Sequence, residues 1–318
     1  MSPFLNYILS AIPLGMTFLF GCTGEILTEK SGHLNLGIPG IMCIGGASGC
    51  VALKMMYGSS VPAPLVVIIA LLASFAGGIL MGLIYSFLTV TLKANQNVTG
   101  LAMTTFGVGM TKFIMSGMAT NAMQYLFALD YFRFPFAKST SSLKYWGIML
   151  YLAVIIAVVA SIVLTRTRIG LHLRAVGENP ATADAVGINI TAYKYIATGI
   201  GSGIAALGGL FYIMDYSGSN ESYKSIEAFG WLAIALVIFT LWRPHLSIIG
   251  SVIFGALYLA GAYIPTLLGI QFDMSATPLL QMLPYVVTII VLIVTSIRKK
   301  RENQPPASLG LSYFREER

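Results

Sequence analysis

The side chains of this sequence best suited to bind a metal or attack an electrophile are three cysteines (Cys22, Cys43, Cys50) and three histidines (His33, His172, His245). The cysteines all lie in apolar stretches; an odd number there builds no disulfide framework and matches no zinc-ligand spacing. The histidines are far apart and sit beside loops, so no metal site is expected. The run Gly199-x-Gly201-x-Gly203 comes nearest to a phosphate cradle. It falls inside an apolar segment, not between a strand and a helix, and no GxxxxGK[ST] run occurs. No hydrolase triad or catalytic pair of carboxylates is visible. By itself the chain reads as a non-enzyme with no catalytic residues and no cofactor of its own.

What remains is polar recognition chemistry. The densest cluster is Asn95-Gln96-Asn97-Val98-Thr99-Gly100, followed by Thr104, Thr105 and Phe106. Amides and hydroxyls can pair with sugar hydroxyls and base edges, and an aromatic ring can stack on a base. Polar groups in an apolar span cost free energy unless they face a cavity or a partner, so Asn95, Gln96, Asn97, Thr99, Thr104 and Phe106 are candidates to line a solute pathway. The competing reading is local: Asn97 and Thr99 cap a helix start and Thr104 bonds its own backbone. Asn35 reads as another helix N-cap. Lys112 is a cation near the far end of the same apolar segment, placed to snorkel to headgroups or to pair with an acid on a partner.

The elements that must position these residues are membrane helices. Charged residues make up 10% of the chain against 56% hydrophobic, where a soluble domain carries about 25% charged; mean hydropathy is +0.80. Continuous, non-alternating apolar runs exclude a β-barrel. Candidate spans cover residues 5–22, 36–56, 63–91, 98–119, 145–164, 192–214, 228–242, 247–269 and 279–297. The fold class is therefore all-α, a polytopic bundle of about nine (8–10) transmembrane helices. Residues 1–300 form the membrane domain, with a loop at about 165–190, and 301–318 form a tail. Leu19-Phe20-Gly21-Cys22 faintly resembles a lipoprotein cleavage box, but residues 1–10 carry no Lys or Arg, so 5–22 is expected to be a retained span. The formal charge of +7 is scattered at span ends, which is a membrane pattern and argues against nucleic acid.

Lys and Arg placement sets orientation. Arg166, Arg168, Arg174 and Lys194, and the run Arg298-Lys299-Lys300-Arg301, should both be cytoplasmic, as should Lys30 and Lys93. This puts the C-terminus inside, and nine spans then put the N-terminus outside. The loop 120–144 lies outside despite Arg133, Lys138 and Lys144, unless a further segment there raises the count to ten. The 215–227 loop, with Asp215, Glu221 and Glu227 against Lys224, suits the outer side. Asp and Glu fall in loops and none in mid-span, which speaks against a proton- or sodium-coupled carrier. Gly45/Gly49, Gly78/Gly82 and Gly199/Gly203 have the spacing that lets helices approach closely in lipid.

One loop segment has a mechanical signature. In Gly177-Glu178-Asn179-Pro180-Ala181-Thr182-Ala183-Asp184-Ala185-Val186-Gly187, Asn179 is an N-cap, Pro180 fits the first helical position and Gly187 is a C-terminal stop. The product is a helix of about two turns between two spans, too short to be stable alone. It must dock on something or lie in the interface as an amphipathic helix.

The run Arg168–Ile188 resembles the coupling loop of the branched-chain amino acid/ribose permease superfamily. Gly24–Met42 is similar to that superfamily's approach to its second helix, and Gly230–Phe239 through Phe254-Gly255 to its late helix pair. The tail Pro305–Arg318 resembles the shorter permease of nucleoside or simple-sugar importers served by a basic-membrane-protein-type binding lipoprotein. One departure is Pro39, where many relatives carry an acidic residue. The resemblance implies a bacterial inner-membrane permease subunit of an ATP-driven importer, for nucleosides or alternatively riboflavin or a simple sugar. It implies a second, related permease, an ABC ATPase with two cassettes that supplies ATP and Mg, and an extracytoplasmic substrate-binding lipoprotein. Gly177, Glu178, Asn179, Pro180, Ala181, Ala183 and Gly187 would contact the ATPase.

Overall fold

The computed structural model describes residues 3–118, 123–219, 221–268, 276–298 and 304–314. Every regular element among them is helical. The main helices are α1 (Pro3–Glu29), α2 (Ile38–Met56), α3 (Ala63–Ser86), α4 (Gln96–Met118), α5 (Ile148–Arg166), α6 (Arg168–Glu178), α7 (Pro180–Ala185), α8 (Ile190–Phe211), α9 (Ile226–Phe239), α10 (Pro244–Leu268), α11 (Ala276–Gln281) and α12 (Leu283–Arg298). Among the described residues, eight helical stretches are long and apolar enough to cross a membrane. The expected ninth span, 279–297, is a helix pair broken at Met282, whose second member α12 has 16 residues.

Three boundaries differ from the sequence reading. Helix α1 continues through Gly24–Glu29, which read as loop because it is polar; Thr23, Glu25, Thr28 and Glu29 are buried against neighbouring helices instead. The 228–242 span is shorter at its end but is preceded by a 3₁₀ turn at Ser222–Ser225, which restores a crossing of 18 residues. The segment before α5 holds two four-residue helices and a 3₁₀ turn, and no crossing among its described residues. Residues 269–275 and the basic run Lys299–Arg301 lie outside the described residues.

Helix α8 is the axis of the bundle: in the 18-residue apolar window of Ile190–Ser217 83% of residues are buried, against 33% in those of Ala63–Thr91 and of α5. Small residues make that possible. A Cβ on Gly24 would strike the carbonyl of Gly201, and one on Gly201 would strike the carbonyl of Gly24. Gly45 packs on Ala206, Gly49 on Leu210, and Gly78 and Gly82 on Ser202. The spacing motif therefore marks real contacts for two of its three pairs. In the third, Gly203 packs on Phe75, while Gly199 meets only Leu83 at 3.9 Å. Pro39 sits in the first turn of α2 with its Cα against Gly230 of α9, a packing role.

The exposed residues along the middle of α3 (Leu65, Ile68, Leu72, Leu80) and of α5 (Ile155, Val158, Val159, Ile162) are apolar, as lipid contact requires. In the segment before α5, Arg133 donates from Nε to the Asp215 carbonyl (2.8 Å) and from Nη2 to that of Tyr216 (3.2 Å). That internal use explains a cation in the 120–144 loop that the orientation rule left unexplained.

Candidate functional site

One end of the bundle gathers the turn after α1, the turn between α3 and α4, helices α6 and α7, and the turn between α9 and α10. Helix α7 forms as its residues dictate. Asn179 Oδ1 accepts from Thr182 N–H (3.0 Å), and Pro180 occupies the first turn. At the other end Gly187 N–H donates to the Asp184 carbonyl (3.0 Å) and Ile188 N–H to that of Ala183 (3.0 Å), with Gly187 at φ +85°. These two bonds close the helix in a Schellman arrangement that needs glycine there.

Helix α6 was not foreseen. Thr167 Oγ1 caps it by accepting from Gly170 N–H (3.1 Å), and Leu173 and Val176 turn inward. The short capped helix is therefore the second half of a helix pair. Gly177 is buried, and a Cβ there would strike the Lys30 carbonyl, so glycine lets α6 lie against the turn after α1. Ala183 is buried with Val176, Ile190 and Tyr313. Of the residues read as ATPase-contacting, these two face the chain itself. Glu178, Asn179, Ala181 and Gly187 are exposed, and Pro180 is half-buried.

Beside α6 a cavity of about 440 Å³ is lined by Lys30, Arg174, Glu178, Trp242, Arg243 and His245. Burial pushes the Lys30 ammonium below its usual range, and the charge of Glu178 acts in the opposite sense. Trp242 and its neighbour Leu241 both have positive φ (56° and 55°), each costing on the order of 1–3 kcal/mol. That backbone places the Trp242 indole N–H on the buried carboxylate of Glu29. Glu25 Oε1 accepts from Asn35 N–H (3.0 Å). Glu25 and Glu29, in the last turns of α1, and Asp215, beyond the end of α8, are buried where the sequence reads as loop; none of the three lies in the middle of a span.

His33 is fixed in the same region. Thr89 Oγ1 spends its proton on the Tyr85 carbonyl (2.7 Å), so it accepts from His33 Nε2 (2.6 Å); Nδ1 then accepts from Thr198 Oγ1 (2.8 Å). Burial first, and the charge of Lys194 second, push His33 down to about 3. The unfolded chain takes up a proton near pH 6.5 that the folded one refuses, so this stability is present above pH 6.5 and lost as pH falls toward 3. The loss is about 1.4 kcal/mol per pH unit. His33→Gln should flatten the acid limb of thermal stability in detergent by roughly 2 kcal/mol between pH 6.5 and 4.5; an unchanged pH profile would refute this assignment. His172 bonds Tyr193 (2.9 Å), His245 lies 3.4 Å from Ser161, and the three cysteines are buried and unpaired.

The polar cluster on α4 is divided by the helix. Asn95 caps it, accepting from Val98 N–H at Oδ1 (3.1 Å), a role expected of Asn97 or Thr99. Gln96 is buried and structural: its Oε1 accepts from Leu34 N–H (2.8 Å) and its Nε2 donates to the Leu311 carbonyl (3.3 Å). Thr99 is buried, and Thr104 donates across to the Leu36 carbonyl of the turn before α2 (2.8 Å), not to its own helix. Gln96, Thr99 and Thr104 are thus turned away from α4's uncovered side. Asn97 and Phe106 (53% exposed) lie on that side. Thr105, Gly109, Lys112, Ser116 and Gly117 share it, and neither glycine has a described atom within 4 Å of a built Cβ. Unlike the faces of α3 and α5, this one mixes hydroxyls, glycines and a cation. It opens at its far end on a cavity of about 980 Å³ lined by Lys54, Lys112, Phe113, Tyr223 and Lys224. Asn35 is no N-cap: its Oδ1 accepts from Gly37 N–H (2.9 Å), fixing the turn before α2.

A family profile described as "Branched-chain amino acid transport system / permease component" matches residues 7–292. The chain belongs to this permease family. Among relatives, the nucleoside ABC transporter permease protein NupC of Lactococcus lactis subsp. cremoris is 30% identical, over 90% of this chain and 90% of NupC. The guanosine ABC transporter permease protein NupQ of Bacillus subtilis is 29% identical, over 89% of this chain and 88% of NupQ. TsgC13 of Haloferax volcanii, a provisionally named glucose ABC transporter permease protein, is 29% identical over 78% of this chain and 74% of its own. The permease is thus a multi-pass membrane protein. The tail is where sequence reasoning missed most: Ser308 and Tyr313 touch α6 and α7, and no spacing in the sequence announces it.

Proposed function

We propose that this permease is the shorter membrane subunit of an ATP-driven nucleoside importer in a bacterial inner membrane, with its C-terminus and the α6–α7 face toward the cytoplasm. The near-full-length likeness to NupC and NupQ carries this reading. A second, related permease completes the pathway, with the uncovered face of α4 (Asn97, Thr105, Phe106, Met110) forming this chain's wall of it. Its mixed polarity, where the exposed residues along the middle of α3 and α5 are apolar, supports that assignment. A separate ATPase with two cassettes holds ATP and Mg, and its closure pushes on Glu178, Asn179, Pro180, Ala181 and Gly187. A binding lipoprotein delivers solute at the opposite face. Likeness to TsgC13 favours a simple sugar as the second reading.

The test is reconstitution of the chain with a second permease, an ATPase and a lipoprotein encoded beside it. Uridine or guanosine should stimulate ATP hydrolysis and enter liposomes only with ATP. Stimulation by glucose alone would select the second reading, and uptake that persists on a proton gradient without ATP would defeat both.

A further inference from the structure

The described tail, residues 304–314, lies across the face that carries α6 and α7. Ser308 donates twice to the Gly177 carbonyl, from N (3.0 Å) and from Oγ (2.6 Å), at the end of α6. Leu309 packs among Leu173 and Trp242. The Leu311 carbonyl accepts from Gln96 Nε2 (3.3 Å), and the Tyr313 carbonyl from Lys93 Nζ (2.8 Å). The Tyr313 hydroxyl donates to Asp184 Oδ2 on α7 (3.0 Å), its ring packs with Ala183, and Lys93 lies 5.7 Å from the centre of the Phe314 ring. Lys93 itself is held at φ +57°, a conformation that needs its surroundings to hold it.

These bonds join elements that have no covalent reason to move together. Helix α7 has six residues and cannot fix its own orientation. The tail ties it, and the end of α6, to the turn between α3 and α4; Gly177 ties α6 to the turn after α1. We propose that the C-terminal tail is a positioning strap for the coupling helices. Through Ser308 and Tyr313 it makes α6–α7 and the α3–α4 turn one body, so that a push on α7 reaches the helix α4 that leaves that turn. The mechanical part of this claim stands on the contacts alone; its use in transport rests on the function proposed above.

Two variants of the full transporter test it: a chain ending at Gln304, and full-length Ser308→Pro/Tyr313→Ala, which removes both Ser308 donors and the Tyr313 ring. Amide hydrogen exchange over residues 177–188 should rise at least tenfold in the double variant. Uridine-stimulated ATP hydrolysis should fall about fivefold while unstimulated hydrolysis stays within twofold. Tyr313→Phe, which keeps the ring and loses only the bond to Asp184, should recover most of the protection and stimulation. Unchanged exchange over 177–188 in the double variant would overturn the strap. A truncated chain that fails to assemble leaves the decision to the double variant. A wild-type transporter that uridine does not stimulate would count against the nucleoside reading, while the exchange result would still decide the strap.

Discussion

Glu178→Lys is expected to lower solute-stimulated ATP hydrolysis of the assembled transporter at least tenfold, with membrane insertion and thermal stability nearly unchanged. Glu178 is the last residue of α6 and directly precedes the cap of α7, on the exposed side of the pair. It is the acid in a cavity whose lining also carries Lys30, Arg174, Arg243 and His245. Reversing its charge there leaves only basic residues among the charged groups of the surface proposed above to meet the ATPase. An exposed charge contributes only about 0–1 kcal/mol to stability, so the fold should tolerate the change. Tenfold in coupling corresponds to about 1.4 kcal/mol of lost differential contact. Glu178→Gln should give an intermediate loss. The measurement is ATPase rate with and without solute in proteoliposomes, normalised to inserted protein; full stimulation in Glu178→Lys would remove this residue from the coupling surface.

Gly201→Leu should leave almost no folded protein. The backbones of α1 and α8 touch at Gly24 and Gly201, and Thr28 Oγ1 also lies where a side chain would go. A flexible neighbour can swing aside, but a carbonyl inside a helix cannot. Overpacking of a side-chain core costs typically 1–3 kcal/mol; backbone obstruction on the most buried helix should exceed about 3 kcal/mol. Gly117→Leu is the informative control. Nothing described lies within 4 Å of a Cβ there, so stability should change by less than about 0.5 kcal/mol. Because Gly117 shares α4's uncovered face, that variant should instead impair assembly or transport. Size-exclusion profiles and melting curves in detergent distinguish the two. Equal behaviour of the variants would mean that α1 and α8 do not meet as closely as described.

Much of the architecture was legible in the order of residues. Apolar runs of membrane length are visible without any partner, because lipid forces each span to satisfy its own backbone and show its hydrophobicity locally. The same holds for α7: an N-cap asparagine, a first-turn proline and a glycine stop act within a few residues. The spacing of Gly45/Gly49 and Gly78/Gly82 signalled close packing, though not that α8 is the helix they share. What only tertiary structure decided depends on groups distant in sequence. Glu25 and Glu29 look like loop acids until Asn35 and Trp242 supply donors. Gln96 and Thr104 look like solute ligands until Leu34, Leu36 and Leu311 claim their hydrogen bonds. Gly177 looks like part of a docking surface until Lys30 and Ser308 close over it. In each case the side chain's own chemistry permits several partners, and only the folded chain brings one of them within hydrogen-bonding reach.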